Sequence, residues 1–74
     1  MNETAHSSVT AEELADTIAE FEKYRARLHH ETVQTAKKAK ISQKTMMAQL
    51  QPQLDRIDNK LEALRAQYKA LVNG

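Results

Sequence analysis

The second half of the sequence carries eight apolar residues at strictly alternating intervals of three and four. They are Met47, Leu50, Leu54, Ile57, Leu61, Leu64, Tyr68 and Leu71. This alternation places all eight side chains on one stripe of an α-helix, and it is the heptad pattern of helices that pack lengthwise. The pattern predicts a long amphipathic helix that needs an apolar partner surface along its whole length.

The first half of the sequence has a weaker stripe at the same intervals. It consists of Leu14, Ile18, Phe21, Arg25, Leu28, Thr32, Thr35 and Ala39. If the chain reverses at its midpoint, the seven positions from Leu14 to Thr35 each face a position of the second stripe, and Arg25 faces Ile57. We therefore predict an all-α fold, an antiparallel coiled-coil-like hairpin of two helices. The aliphatic part of Arg25 would lie along the seam while its guanidinium reaches Asp58 or water.

Capping residues mark where both helices begin. Thr10 followed three residues later by Glu13 is a capping box, and Ser42 is a preferred N-cap residue. Pro52 lies on the outward side of the second stripe. Because the apolar residues keep their phase across Pro52, we expect one kinked helix rather than a helix that restarts there.

The domain organisation follows from these signals. Residues 1–9 are polar and aperiodic, and we interpret them as a disordered tail. Residues 10–74 form the hairpin domain, with helices at about 10–40 and 42–73. The turn between them contains no glycine, which argues against a tight connection.

The composition excludes several other classes of protein. One Gly, one Pro and no Cys cannot supply the turns of a β-sandwich, the bonds of a disulfide scaffold or the ligands of a cysteine zinc site. No stretch approaches the ~18–20 apolar residues of a membrane span, and the first residues lack the features of a secretory signal. We therefore expect a cytoplasmic protein with no membrane contact.

A chain of 74 residues buries little apolar surface in a single two-helix seam. We predict that two hairpins form a homodimeric four-helix bundle, or that one hairpin packs on a helical protein partner. The predicted interaction seam consists of Leu14, Ile18, Phe21, Leu28, Met47, Leu50, Leu54, Ile57, Leu61, Leu64, Tyr68 and Leu71.

Charge is distributed unevenly along the chain. Residues 1–22 carry six acids and no base, whereas residues 23–44 carry seven bases and one acid. Part of this distribution complements the helix macrodipole. The functional interpretation is contact with an acidic partner or a nucleic-acid backbone near the turn. The candidate contact residues are Lys37, Lys38, Lys40, Gln43 and Lys44.

The middle of the sequence also resembles the centre of a DNA-binding helix-turn-helix of the repressor type. The resemblance is carried by Ala36, Ile41, Ser42, Thr45 and Met46. It implies a small DNA-binding regulator that uses residues 36–50, with Gln43, Lys44 and Met47 facing the major groove. Lys40 stands where that family usually has Gly.

Residues suited to catalysis or metal binding are sparse. His29 and His30 are adjacent, so their side chains point in different directions on a helix, and neither has a potential ligand four residues later. We predict no enzymatic activity, no catalytic residue, no cofactor, no metal and no small-molecule substrate.

The leading functional prediction is a non-enzymatic protein-interaction module, such as a small adaptor, co-chaperone or regulator. Such a module would act through one face of the hairpin. In size and shape it is similar to the small helical-hairpin chaperones of bacterial secretion systems. The DNA-binding regulator is the alternative.

Overall fold

The protein is a pair of long helices. The computed structural model describes residues 9–74, which form two α-helices and no strand. Helix α1 spans Ala11–Lys38 and helix α2 spans Gln43–Asn73, and a four-residue connection joins them. They pack side by side in a body of 54 × 19 × 17 Å, so the predicted all-α hairpin is confirmed. The predicted tail over residues 1–9 lies, except for Val9, outside the described residues.

Both helices begin at the residues that the sequence predicts. The Thr10 hydroxyl oxygen accepts a hydrogen bond from the Glu13 backbone N–H at 3.0 Å, and the Glu13 carboxylate accepts one from the Thr10 N–H at 3.0 Å. At α2, the Ser42 hydroxyl oxygen accepts a hydrogen bond from the Thr45 N–H at 3.1 Å. These bonds satisfy amides that have no partner inside a helix.

The connection is tight although it contains no glycine, contrary to the sequence-based expectation. The Ile41 N–H donates to the Ala36 carbonyl at 2.8 Å, and the Lys40 N–H donates to the Lys37 carbonyl at 3.2 Å. These two bonds form a Schellman motif, in which glycine usually occupies the position of Lys40. Lys40 adopts the left-handed conformation, with φ of 59°. A non-glycine residue can do this at a cost of about 1–2 kcal/mol, so the missing glycine did not exclude the turn. Helix α1 consequently ends at Lys38, two residues earlier than predicted.

Replacing Lys40 by glycine is expected to stabilise the hairpin by about 1 kcal/mol, because glycine adopts a positive φ without steric cost. For a domain of this size, the melting temperature should rise by roughly 4–8 °C in a thermal unfolding curve followed by circular dichroism. The matched control is Lys38→Gly inside α1, which should lower stability by a similar amount. A lower melting temperature for Lys40→Gly would contradict the left-handed assignment.

Helix α2 provides most of the buried core. Its buried residues are Met46, Leu50, Leu54, Ile57 and Leu61. Leu50 has no exposed surface. In α1 only Leu14 and Ala36 are buried. The predicted stripe of α2 is therefore the main apolar surface, and α1 covers it incompletely.

Close to the turn the observed seam differs from the predicted one. Thr35 and Ala39 are exposed, and Ala36 is buried in their place, in one cluster with Met46. Met46 is buried where Met47 was predicted, and Met47 is only partly buried against this cluster. A straight α-helix drifts by about 20° per heptad relative to a strict 3.5-residue repeat. Near the turn, the buried residues of α2 are therefore Met46 and Leu50, four positions apart, where the heptad pattern predicts Met47 and Leu50, three positions apart.

At the opposite, open end of the hairpin the seam is shorter than predicted. Leu71 is 51% exposed, so it does not belong to the core between α1 and α2. Leu64 and Tyr68 are partly buried, and so are Ile18 and Phe21 of α1. The apolar contact between the helices therefore thins out toward the open end.

Pro52 lies within α2 and does not end it, as the phase of the apolar residues predicts. Its side chain is exposed. Because proline has no N–H, the carbonyl of Ala48 lacks its intrahelical hydrogen bond. The turn of α2 from Ala48 to Pro52 therefore lacks one backbone hydrogen bond.

Candidate interaction surface

The two long sides of the hairpin differ in chemistry. Both ion pairs between the helices involve one side of α2, because Asp58 and Arg65 are seven residues apart. Arg25 donates to the Asp58 carboxylate from Nε at 2.6 Å and from Nη2 at 3.1 Å. Arg65 Nη2 donates to Glu22 Oε2 at 2.6 Å. We call this side the charged side.

The opposite side has apolar residues without cover, and we call it the aromatic face. It is defined by Phe21, Tyr24 and Leu28 of α1 and by Leu64 and Leu71 of α2, all spaced at helical intervals. Tyr24 is 44% exposed and Leu71 is 51% exposed. The other three side chains are partly buried. The aromatic face therefore presents large apolar groups to solvent.

Two grooves show that both helices contribute to the aromatic face. One groove near the turn is lined by residues that include Leu28 and Gln49. A second groove at the open end is lined by residues that include Gln67 and Leu71. Gln49 and Gln67 are eighteen residues apart, or about five helical turns, so they point to the same side of α2. The two grooves therefore open on one side.

The residues between the apolar groups of the aromatic face are mostly neutral. The neutral ones are Thr17, Thr35, Gln49, Gln53 and Gln67. The charged residues on this side are Lys60 of α2, Glu20 beside Phe21, Glu31 beside the groove near the turn, and Arg27, whose guanidinium lies 5.9 Å from the centre of the Tyr24 ring. No ion pair joins α1 to α2 on this side within residues 9–74. Large apolar groups among few charges are typical of the core of a protein interface.

The Arg25–Asp58 pair dominates the electrostatics of the charged side. The hydrogen bond from Arg25 lowers the pKa of the Asp58 carboxyl below its ordinary value of 3.8, and the same bond raises the pKa of Arg25. Arg25 is partly buried, and its guanidinium bonds Asp58 on the charged side. The predicted contact between Arg25 and Asp58 is confirmed. Asp58 is the residue after Ile57, which faces Arg25 in the predicted pairing.

Acid is expected to weaken the hairpin through Asp58. Because the pKa of Asp58 is lower in the folded state, the pair contributes its stability above about pH 4 and loses it as pH falls through the folded pKa. The wild-type melting temperature should exceed that of Asp58→Asn at pH 7, and the difference should shrink below pH 4. The control is Asp55→Asn, because Asp55 accepts a hydrogen bond from Gln51 of its own helix. A difference that persists at low pH would contradict this assignment.

The predicted contact residues near the turn are all exposed. They are Lys37, Lys38, Lys40, Gln43 and Lys44. Met47 differs from them, because it packs against the core cluster. The helix-turn-helix resemblance implies two helices that cross at about 90–120°, whereas α1 and α2 lie alongside each other.

The two ends of the hairpin carry opposite side-chain charge. Around the open end, residues 9–22 and 60–74 contain six acidic and three basic residues, a net charge of −3. Around the turn, residues 29–51 contain four lysines and one glutamate, a net charge of +3. The hairpin is therefore an electric dipole along its long axis.

Helix macrodipoles explain only part of this charge separation. Helix α1 has acids in its first turn and lysines in its last turn, as its own dipole favours. Helix α2 has no acid in its first turn and no base in its last turn. Lys44 even places a positive charge near the positive end of α2. The charge separation is therefore larger than helix stability alone requires.

Comparisons with known proteins give a family but no activity. Residues 12–73 match the protein family described as "Domain of unknown function (DUF8630)". No curated protein and no solved structure matches the chain. The part of the chain in the structure contains no cluster of three or more histidine or carboxylate side chains that could hold a metal. No helix in that part is both long and apolar enough to span a bilayer.

Proposed function

The chain belongs to the DUF8630 family, and we propose that its hairpin is a non-enzymatic protein-interaction module that binds a helical partner through the aromatic face. The observation that carries this proposal is the exposure of Tyr24 and Leu71 on the side that has no ion pair between the two helices within residues 9–74. An amphipathic helix gains stability by burying its apolar side against another element. The charged side carries the ion pairs that join the two helices, whereas no such pair lies on the aromatic face within residues 9–74.

The shape of the aromatic face favours a helix as the partner. Phe21, Tyr24 and Leu28 follow one another along α1 at intervals of three and four residues, with one depression at Phe21 and Tyr24 and a groove beside Leu28 near the turn. A ridge of this kind packs into the groove of another helix at interaxial distances of about 8–10 Å. Helix-in-groove docking is also the common mode by which amphipathic helices are recognised. An adaptor, a co-chaperone or a regulator would act in this way.

Photo-crosslinking in the cells that make the protein tests this proposal. A photoreactive phenylalanine analogue is placed at Tyr24 on the aromatic face or at Gln51 on the charged side, where both side chains are exposed. We expect a protein adduct of defined mass from position 24 and little from position 51. Equal yields at the two positions, or no protein adduct at position 24, would overturn the proposal.

The second candidate is the DNA-binding regulator, and the exposed lysines around the turn are the observation that favours it. Lysine contacts with phosphate are weakened by salt. A gel-shift titration with duplex DNA at low and physiological salt tests this candidate. Retardation that is lost when Lys37, Lys38, Lys40 and Lys44 are replaced by Gln would support it, and no retardation at low salt would remove it.

A further inference from the structure

We infer that the partner on the aromatic face is a second copy of this chain, packed antiparallel so that the turn of each hairpin lies beside the open end of the other. The inference rests on the proposed use of the aromatic face. It adds the identity of the partner and the orientation in which the partner lies.

The opposite charges at the two ends favour the antiparallel orientation. Side by side, an antiparallel pair places +3 next to −3 at both ends, whereas a parallel pair places like charges together. Packed helices are about 8–10 Å apart, which is within the Debye length of ~10 Å at 0.1 M salt. At this separation salt weakens the attraction between the charges but does not remove it.

Symmetry also favours this arrangement. End-to-end contact of a positive turn with a negative open end would leave one free site at each end and would grow into a filament. An antiparallel side-by-side pair satisfies both ends at once and closes as a twofold dimer.

The size of the surface and the position of Tyr24 fit such a dimer. One long side has an outline of at most 54 by 17 Å, which is long enough to supply the roughly 800 Å² of accessible surface that each partner buries in a stable interface. Tyr24 lies at the middle of α1, which spans residues 11–38. In an antiparallel pair the two copies of Tyr24 therefore meet close to the twofold axis, where aromatic rings pack well.

Single-cysteine variants test the orientation, because the chain contains no cysteine. Thr17 and Thr35 are exposed, share one side of α1 and are separated by about five turns, or about 27 Å. Thr17→Cys and Thr35→Cys are prepared separately, checked for wild-type helicity by circular dichroism, and treated with a short bifunctional maleimide, alone and as a mixture. The antiparallel dimer predicts efficient cross-links between the two different variants and few within either variant alone. Efficient cross-links within each variant alone would indicate a parallel pair and would overturn the inference.

Sedimentation equilibrium of the purified wild-type protein tests whether a second copy binds at all. We expect a monomer–dimer equilibrium, and Tyr24→Glu should weaken the dimer at least about tenfold, because each copy would bury a carboxylate near the axis. The matched control is Gln51→Glu on the charged side, which should leave the dimer unchanged. A wild-type monomer at all concentrations would overturn this inference. The proposed function would survive that result if position 24 still cross-links to a different protein in cells.

Discussion

Leu61→Asp is expected to unfold the hairpin. Leu61 is 2% exposed and lies in the seam between the two helices. The substitution removes a buried aliphatic side chain and places a carboxylate where it has no partner, so we expect a loss of about 4 kcal/mol or more. A domain of this length is stabilised by only about 5–10 kcal/mol. Circular dichroism at 222 nm should show a large loss of helicity at 37 °C.

The control for this substitution is Ala63→Asp, two residues along the same helix. Ala63 is exposed, so the same new charge stays in water. Ala63→Asp should therefore lower the free energy of unfolding only through the lower helix propensity of aspartate, by less than about 1 kcal/mol. If the Leu61→Asp variant keeps the same helicity and cooperative unfolding as Ala63→Asp, Leu61 is not buried between the two helices.

Pro52→Ala is expected to raise the stability of the hairpin by about 2 kcal/mol. Alanine restores the hydrogen bond to the carbonyl of Ala48 and removes the clash of the proline ring, together worth about 3 kcal/mol inside a helix. Alanine also raises the conformational entropy of the unfolded chain, which lowers the free energy of unfolding by up to about 1 kcal/mol. The midpoint of urea unfolding should move to a higher concentration while the slope stays constant.

The neighbouring exposed residue Gln53 provides the control. Gln53→Ala changes the helix propensity only slightly and leaves the backbone hydrogen bonds in place. Its effect should stay within about 0.5 kcal/mol. An unchanged or lower midpoint for Pro52→Ala would mean that α2 is interrupted at this position.

The sequence predicts the parts of this fold that depend on one helix at a time. The heptad intervals identify Leu50, Leu54, Ile57 and Leu61 as core, because periodicity around a single helix decides which side is apolar. Local hydrogen-bonding chemistry likewise identifies the N-caps of both helices. The contact of Arg25 is predictable too, because it is the one charged residue in its stripe.

The turn region could not be predicted from these patterns alone. Whether Thr35 or Ala36 enters the core depends on how much the two helices supercoil, and a seven-residue pattern assumes full supercoiling. The left-handed conformation of Lys40 was equally hidden, because no glycine marks it. The backbone hydrogen bonds to Ala36 and Lys37 impose it.

Four of the five residues of the aromatic face belong to the predicted seam, and only Tyr24 was missed, for a geometric reason. Tyr24 lies outside the heptad stripe, so the sequence-based seam omits it. Periodicity cannot say which of the two sides beside the seam carries the ion pairs between the helices. That depends on the contact of Glu22 with Arg65, two residues 43 positions apart.

The location of the main core cluster has a consequence for the order of folding. Ala36, Met46 and Leu50 pack within a few residues of the turn, so bringing them together closes only a short loop at small entropic cost. The hairpin should nucleate there and zip toward the open end, where Leu14 is the buried residue of α1. Native-state hydrogen exchange should therefore show the slowest amides around Leu50 and the fastest helical amides around Leu71.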